Sequence, residues 1–137
     1  MILVSSCLVG LGCRFDATDK KTEEVLTYLK DKEWMPVCPE QMGGLATPRD
    51  PAEIRRERVV TKEDKDVTAQ FIRGADEVAR LARLVGATEA ILKSRSPSCG
   101  SGHIYDGTFS KVLIEGDGLT ARALKKMGLT VKSEENL

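Results

Sequence analysis

The sequence predicts an α/β protein, a single three-layer domain with a mainly parallel sheet, and three observations carry that expectation. Short apolar runs alternate with stretches of helical periodicity, the pattern of parallel strands joined through crossover helices. At 137 residues the chain is large enough to bury a core without staples, yet has the length of one domain. Cysteines close three of the apolar runs, at the strand ends where parallel sheets build their sites.

Taken in order, Met1 to Ser6 reads as a short buried strand, and Cys7 to Asp16 as a Gly-containing loop. Asp19 or Thr18 is placed to cap a helix carrying Val25, Leu26 and Leu29 on one face. Trp34 to Cys38 is a second strand, and its Pro36 marks an edge or a strand start. Cys38 to Arg49, with two prolines and Gly43-Gly44, reads as an irregular functional loop. Residues 50 to 65 are highly charged around Val59-Val60, which points to a short helix or irregular segment and a minor strand. Val67, Phe71, Ala75, Val78, Ala79, Ala82 and Val85 then repeat at helical spacing up to a Gly86 stop. A strand over Glu89 to Lys93 leads into the loop Ser94 to Gly100, and Gly-rich residues 100 to 107 continue it. Leu119, Ala123, Leu124 and Met127 form a last helix ended by Gly128, followed by a strand at Leu129 to Val131. Residues 133–137 read as a flexible polar tail.

The charges exclude some function classes. With 21 basic and 21 acidic residues the formal net charge is zero, so no broad cationic field exists to hold a nucleic acid. No apolar run approaches the roughly 20 residues of a membrane span, and Met1-Ile2-Leu3-Val4 lacks the features of a secretion signal. The expectation is a cytoplasmic protein, a monomer or small homo-oligomer, with a small-molecule partner. In a reducing compartment four cysteines are metal ligands or reactive thiols rather than disulfides.

Cys7, Cys38 and Cys99 are too far apart in sequence for any CxxC, zinc-ribbon or ferredoxin spacing. Topology alone can unite them. Three such thiols could be buried core residues, a three-thiolate zinc site, or the ligands of an iron-sulfur cluster with one open iron. A thiol or persulfide chemistry at Cys13 or Cys99, without metal, is a further reading. Cys13 could be a fourth ligand, a persulfide carrier or half of a disulfide with Cys7; the favoured reading is a residue near the site that is not a ligand.

Ser6-Cys7-Leu8 with Cys13-Arg14-Phe15-Asp16, Val37-Cys38-Pro39-Glu40-Gln41 with Gly43-Gly44-Leu45 and Thr47-Pro48-Arg49, and Ser96-Pro97-Ser98-Cys99-Gly100 with Tyr105-Asp106-Gly107 together resemble the signature of the thiouracil desulfidase family. The resemblance covers nearly the whole chain in order. It implies a Rossmann-like domain with a [4Fe-4S] cluster on three cysteines, here Cys7, Cys38 and Cys99, leaving one iron without a cysteine ligand. It further implies removal of sulfur from a thiolated pyrimidine such as 2- or 4-thiouracil, giving uracil and sulfide.

The neighbouring residues fit that chemistry. Glu40 is placed to activate the attacking water, and Ser96 to hydrogen-bond the ring or the tetrahedral centre. Ser98, Gly43, Gly44 and Arg14 are candidate substrate contacts, the glycines by letting backbone come close to cluster or substrate. Arg49 and Arg95 adjoin the same loops as possible partners of an anionic or buried group. His103 is left outside the ligand set. Gly116 to Thr120 resembles a phosphate-cradling turn, against which its Asp117 would act.

Overall fold

The computed structural model describes residues 1–137. Strand β1 (Ile2–Ser5) is covered on both faces, as a central parallel strand must be. A 3₁₀ turn over Ser6–Val9 carries Cys7 away from it, and α1 (Glu23–Leu29) buries Val25 and Leu29. Neither Asp19 nor Thr18 caps this helix. Asp19 accepts the Lys21 N–H ahead of the helix and Thr18 donates to Asp16; the N-cap is Thr22, whose hydroxyl makes no cap bond because it donates to the Lys20 carbonyl. Strand β2 (Trp34–Val37) follows. Cys38 then leads into α2 (Pro39–Met42), a single turn where an irregular loop is expected; proline at its first position is compatible with the helix.

Residues 50 to 65 depart from expectation in part: the minor strand at Val59-Val60 is present, but a second strand stands where a short helix or irregular segment is expected. They form an antiparallel hairpin of β3 (Ala52–Arg55) and β4 (Arg58–Thr61). Its tight turn places Arg56 and Glu57 at φ of 50° and 66°, a conformation usually announced by Asn-Gly or Asp-Gly. Helix α3 (Thr68–Val85) and strand β5 (Glu89–Leu92) lie where the periodicity puts them. The Gly-rich segment after Cys99 is not all loop, since β6 (His103–Tyr105) pairs with β7 (Leu113–Glu115). Helix α4 (Leu119–Lys126) and β8 (Thr130–Ser133) complete the order. Residues 133–135 do not trail away as a tail: Ser133 is buried in β8, Glu134 pairs with Lys93 at 2.7 Å and Glu135 with Arg95 at 2.8 Å. No helix is long and apolar enough to cross a membrane.

The central sheet has the order β2-β1-β5-β8, with every pairing parallel. Pro36 thus sits on an edge strand, where it is tolerated. Side chains alternate between two cores. Ile2, Val4 and Ile91 meet Val25 and Leu29 of α1 on one face; Leu3, Ala90 and Leu92 meet Val78 and Ala82 of α3 and Ala121 and Leu124 of α4 on the other. These are the three predicted layers. A third cluster, with Ile54, Val59, Phe71 and Ile104, lies under the two hairpins. The chain leaves β1 toward β2 and β5 toward β8, in opposite directions across the sheet. A crevice therefore opens beyond the carboxyl ends of β1 and β5, the topological switch point where α/β sheets bind ligands.

Helix α2 reaches this crevice because it lies directly on α3. A Cβ on Gly43 would stand 2.0 Å from the Gln70 carbonyl oxygen, and one on Gly74 2.0 Å from that of Pro39. Two bare backbones make the contact. Gly74→Ala should therefore lower stability by about 1–3 kcal/mol through overpacking, as read by urea unfolding. At an unobstructed helical position the same change gains about 1 kcal/mol, so a gain would show that α2 and α3 do not meet in this way.

Candidate active site

All four cysteines line one cavity of about 600 Å³ over the switch point, within the roughly 300–1,000 Å³ typical of small-molecule sites. Cys7 arrives from β1, Cys38 from β2 and Cys99 from the loop after β5. Cys7 and Cys13 belong to the core on one face of the sheet and Cys99 to the core on the other, so the thiols converge over its crest. None is in a disulfide. The Cys99 loop is held by the start of α4: the N–H groups of Thr120 and Ala121 donate to the Ser98 carbonyl at 2.9 and 3.2 Å, Leu119 N–H to Pro97 and Gly118 N–H to Gly100. The first-turn donors of a helix need partners, and here the loop supplies them. That also removes the phosphate-cradling reading of Gly116 to Thr120, since the N–H groups of Gly116, Gly118, Leu119 and Thr120 are occupied.

The surroundings of Cys13, Cys38 and Cys99 favour the protonated thiol. Burial raises Cys99 to about 12, against hydrogen bonds from the Ser5 and Ser98 hydroxyls that lower it. On Cys13 the largest influence, its hydrogen bond with Cys38, favours the thiolate, but the bond with Cys7 and burial outweigh it and bring Cys13 to about 11. Cys38 is raised beyond the ordinary thiol range by its hydrogen bond with Cys13 and by burial. A thiol at about 11 is ionised at neutral pH on the order of once in ten thousand molecules, which argues against Cys13 or Cys99 as a metal-free nucleophile. A bound metal is what would displace these protons. No three Cys, His, Asp or Glu side chains are arranged to share a single ion. Three thiols on separate strand ends fit a larger centre that each cysteine meets at a different atom.

Beside the thiols lies a connected polar network. Glu40 Oε1 accepts from Arg49 Nε at 2.9 Å, and its Oε2 accepts from the Ser98 hydroxyl at 2.9 Å. Ser98 Oγ lies 2.9 Å from Ser96 Oγ, and Ser96 Oγ accepts the N–H groups of Ser98 and Cys99 at 3.1 and 2.9 Å. Ser96 therefore reaches Glu40 only through Ser98. Arg49 continues the network with Nη2 to the Cys13 carbonyl at 2.8 Å and Nη1 to the Thr47 hydroxyl at 2.9 Å. Its side chain is 8% exposed, so this is a buried ion pair and not a surface cation.

The chain matches the 2-thiouracil desulfurase family over residues 2–136. It belongs to that family. A solved structure described as a [4Fe-4S]-dependent thiouracil desulfidase, TudS, is 44% identical and superposes with a TM-score of 0.92, covering 98% of this chain and 90% of that one. An uncharacterized protein of Bacillus subtilis (strain 168), YbbK, is 42% identical over 147 aligned residues, which take in 100% of this chain and 97% of the relative.

Within this desulfurase chain not every expected site residue reaches the cavity. Cys7, Cys38, Cys99, Glu40, Ser96, Ser98 and Arg14 line it. Gly43 and Gly44 do not: Gly43 serves the α2–α3 crossing and Gly44, at φ 94°, turns the chain after α2. His103 is exposed on β6, outside the cavity. Other residues were not singled out by their sequence. Ser5 donates to Cys99 Sγ at 3.2 Å and accepts the Lys93 N–H at 2.9 Å; the only signal is a hydroxyl in an otherwise apolar strand. Lys20 and Lys111 join Arg14 as cavity cations without an ion-pair partner, whereas Arg49, Lys93 and Arg95 each hold a glutamate. The surplus is positive, which suits an anionic centre.

Arg49→Met would leave the half-buried Glu40 carboxylate without its cation, with only the Ser98 hydroxyl as partner, which should cost about 1–3 kcal/mol. Urea unfolding of the metal-free chain should register that loss, and adding Glu40→Gln should recover part of it. Strict additivity of the two changes would show that the pair is not coupled.

Proposed function

We propose that the chain hydrolyses the carbon–sulfur bond of a small thiolated pyrimidine of the 2- or 4-thiouracil type, with a [4Fe-4S] cluster held by Cys7, Cys38 and Cys99. The observation that carries this reading is the arrival of three buried thiols from three strand ends in one cavity with Glu40. Family membership and the TudS neighbour support it. Cys7, Cys38 and Cys99 would hold the cluster, which would supply a soft Lewis acid for the thiocarbonyl sulfur.

The chain's own residues supply the rest. Glu40, fixed on one oxygen by Arg49 and on the other by Ser98, takes a proton from the attacking water as general base. Ser96, linked to Glu40 through Ser98, gives that proton a path toward the leaving sulfur. Water oxygen bonds to the ring carbon, the carbon–sulfur bond breaks, and sulfide departs with no net oxidation or reduction. Arg14 and Lys20, unpaired at the cavity wall, favour the negative charge that develops. Ser5, donating to Cys99 Sγ, tunes the electron density of one ligand sulfur. The reading describes a single-domain cytoplasmic enzyme acting as a monomer or small homo-oligomer.

Protein reconstituted without oxygen should carry about four irons and four acid-labile sulfides per chain. Cys7→Ser, Cys38→Ser and Cys99→Ser should each lose most of that iron, while Cys13→Ser keeps it. Glu40→Gln should retain the iron and lower kcat on 2-thiouracil by about 10²–10⁴-fold. Full occupancy of iron in any of the three ligand variants, or normal turnover in Glu40→Gln, would defeat the corresponding assignment.

A further inference from the structure

The chain holds one Trp, two Tyr and three Phe, and three of these six aromatic residues, Phe15, Tyr105 and Phe109, line the cavity. Phe109 alone of the three has a left-handed backbone. It lies in the connection between β6 and β7, half-buried, and packs into none of the three cores. Its backbone stands at φ 60°, a conformation that costs a residue with a Cβ on the order of 1–3 kcal/mol. A ring that contributes nothing to the core, on a strained backbone, requires something to hold it there.

What holds it is the first strand of the other hairpin. Glu53 of β3 is 9% exposed, and its Oε1 accepts the N–H groups of Gly107 at 3.0 Å and Phe109 at 3.1 Å. Arg55 donates from Nε and Nη2 to the Gly107 carbonyl at 3.1 and 2.7 Å. Gly107, at φ 92°, lies so close to β3 that a Cβ would meet the Ile54 carbonyl oxygen at 2.8 Å. A buried carboxylate and an arginine thus grip Gly107 and Phe109 of one loop, and the result is an aromatic ring on the cavity wall. Phe15, by contrast, already has the Arg14 guanidinium 5.6 Å from its ring centroid.

We infer that Phe109 is the platform on which the planar ring of the substrate stacks, and that Glu53 is the residue that positions it. The inference rests on the desulfidase reading for the identity of the ring. Stacking on an aromatic side chain tolerates different heterocycles because each presents a π-face. It strengthens binding of substrate and product alike, so its loss appears in KM rather than in kcat.

The test uses cluster-loaded protein and two probes, 2-thiouracil for turnover and unreactive uracil for binding by calorimetry. Phe109→Ala should raise KM and weaken uracil binding by about tenfold, with kcat and iron content little changed, and Phe109→Trp should restore both. Glu53→Ala should raise KM similarly and speed amide hydrogen exchange at residues 107–109, while Glu53→Gln, which keeps an acceptor oxygen, should not. If wild type turns over 2-thiouracil and Phe109→Ala leaves both KM and uracil affinity unchanged, the platform is overturned and the desulfidase reading stands. If wild type has no desulfidase activity but binds uracil in a Phe109-dependent way, the platform stands and the reaction does not. Absence of both turnover and uracil binding in wild type overturns both.

Discussion

The guanidinium of Arg49 joins parts of the chain that no regular structure connects. It holds the Glu40 carboxylate of α2, the Cys13 carbonyl of the loop after β1 and the Thr47 hydroxyl of its own loop, while its backbone N–H donates to Phe15. These loops carry two of the proposed ligand thiols and the proposed base. A planar fork of five donors in fixed geometry can satisfy several separated acceptors at once, where a lysine offers one compact ammonium with three. Because the carboxylate and guanidinium are both largely out of water, each would be a buried, unpaired charge without the other. The geometry of the base and the closure of the cavity therefore depend on the same contact.

The sheet determines where that contact has to be. Divergent crossovers from β1 and β5 open a crevice between adjacent central strands, and the chain fills it with loops instead of helices. Bare backbone at Gly43 and Gly74 lets α2 lie close against α3, which brings Glu40 over the crevice. Core packing and the placement of the proposed base are one arrangement here, so a change at the helix crossing reaches Glu40.

Much of this was legible in the sequence. The apolar period of α3, the covered strands β1 and β5, and the cysteines at strand ends are local signals, and motifs spread over nearly the whole chain resemble one family. The hairpins were not legible. β3 and β4 turn through Arg56-Glu57, which lacks the glycine or asparagine that such φ values usually demand, and Glu53 faces inward from a segment that reads as solvated charge. Gly43 looked like a residue for close approach to a ligand; its partner is Gly74, on a helix a long way along the chain, and no local pattern links them. Ser98 and Ser96 could be seen near Cys99, but not the order in which they reach Glu40, because that order depends on loops folded from three separate regions.

The walls of the cavity differ in how they are anchored. The Cys99 wall is continuous with the first turn of α4 through carbonyls that receive its N–H groups, so it cannot shift without unwinding a helix. The Phe109 wall hangs from β3 by one carboxylate and one arginine, on a hairpin connection that carries no thiol. Substitutions in that connection can reshape the cavity while the cysteines stay where they are. Divergence among relatives should therefore be written in the hairpin, and a library confined to residues 106–112 is the natural starting point for reshaping the cavity without disturbing its thiols.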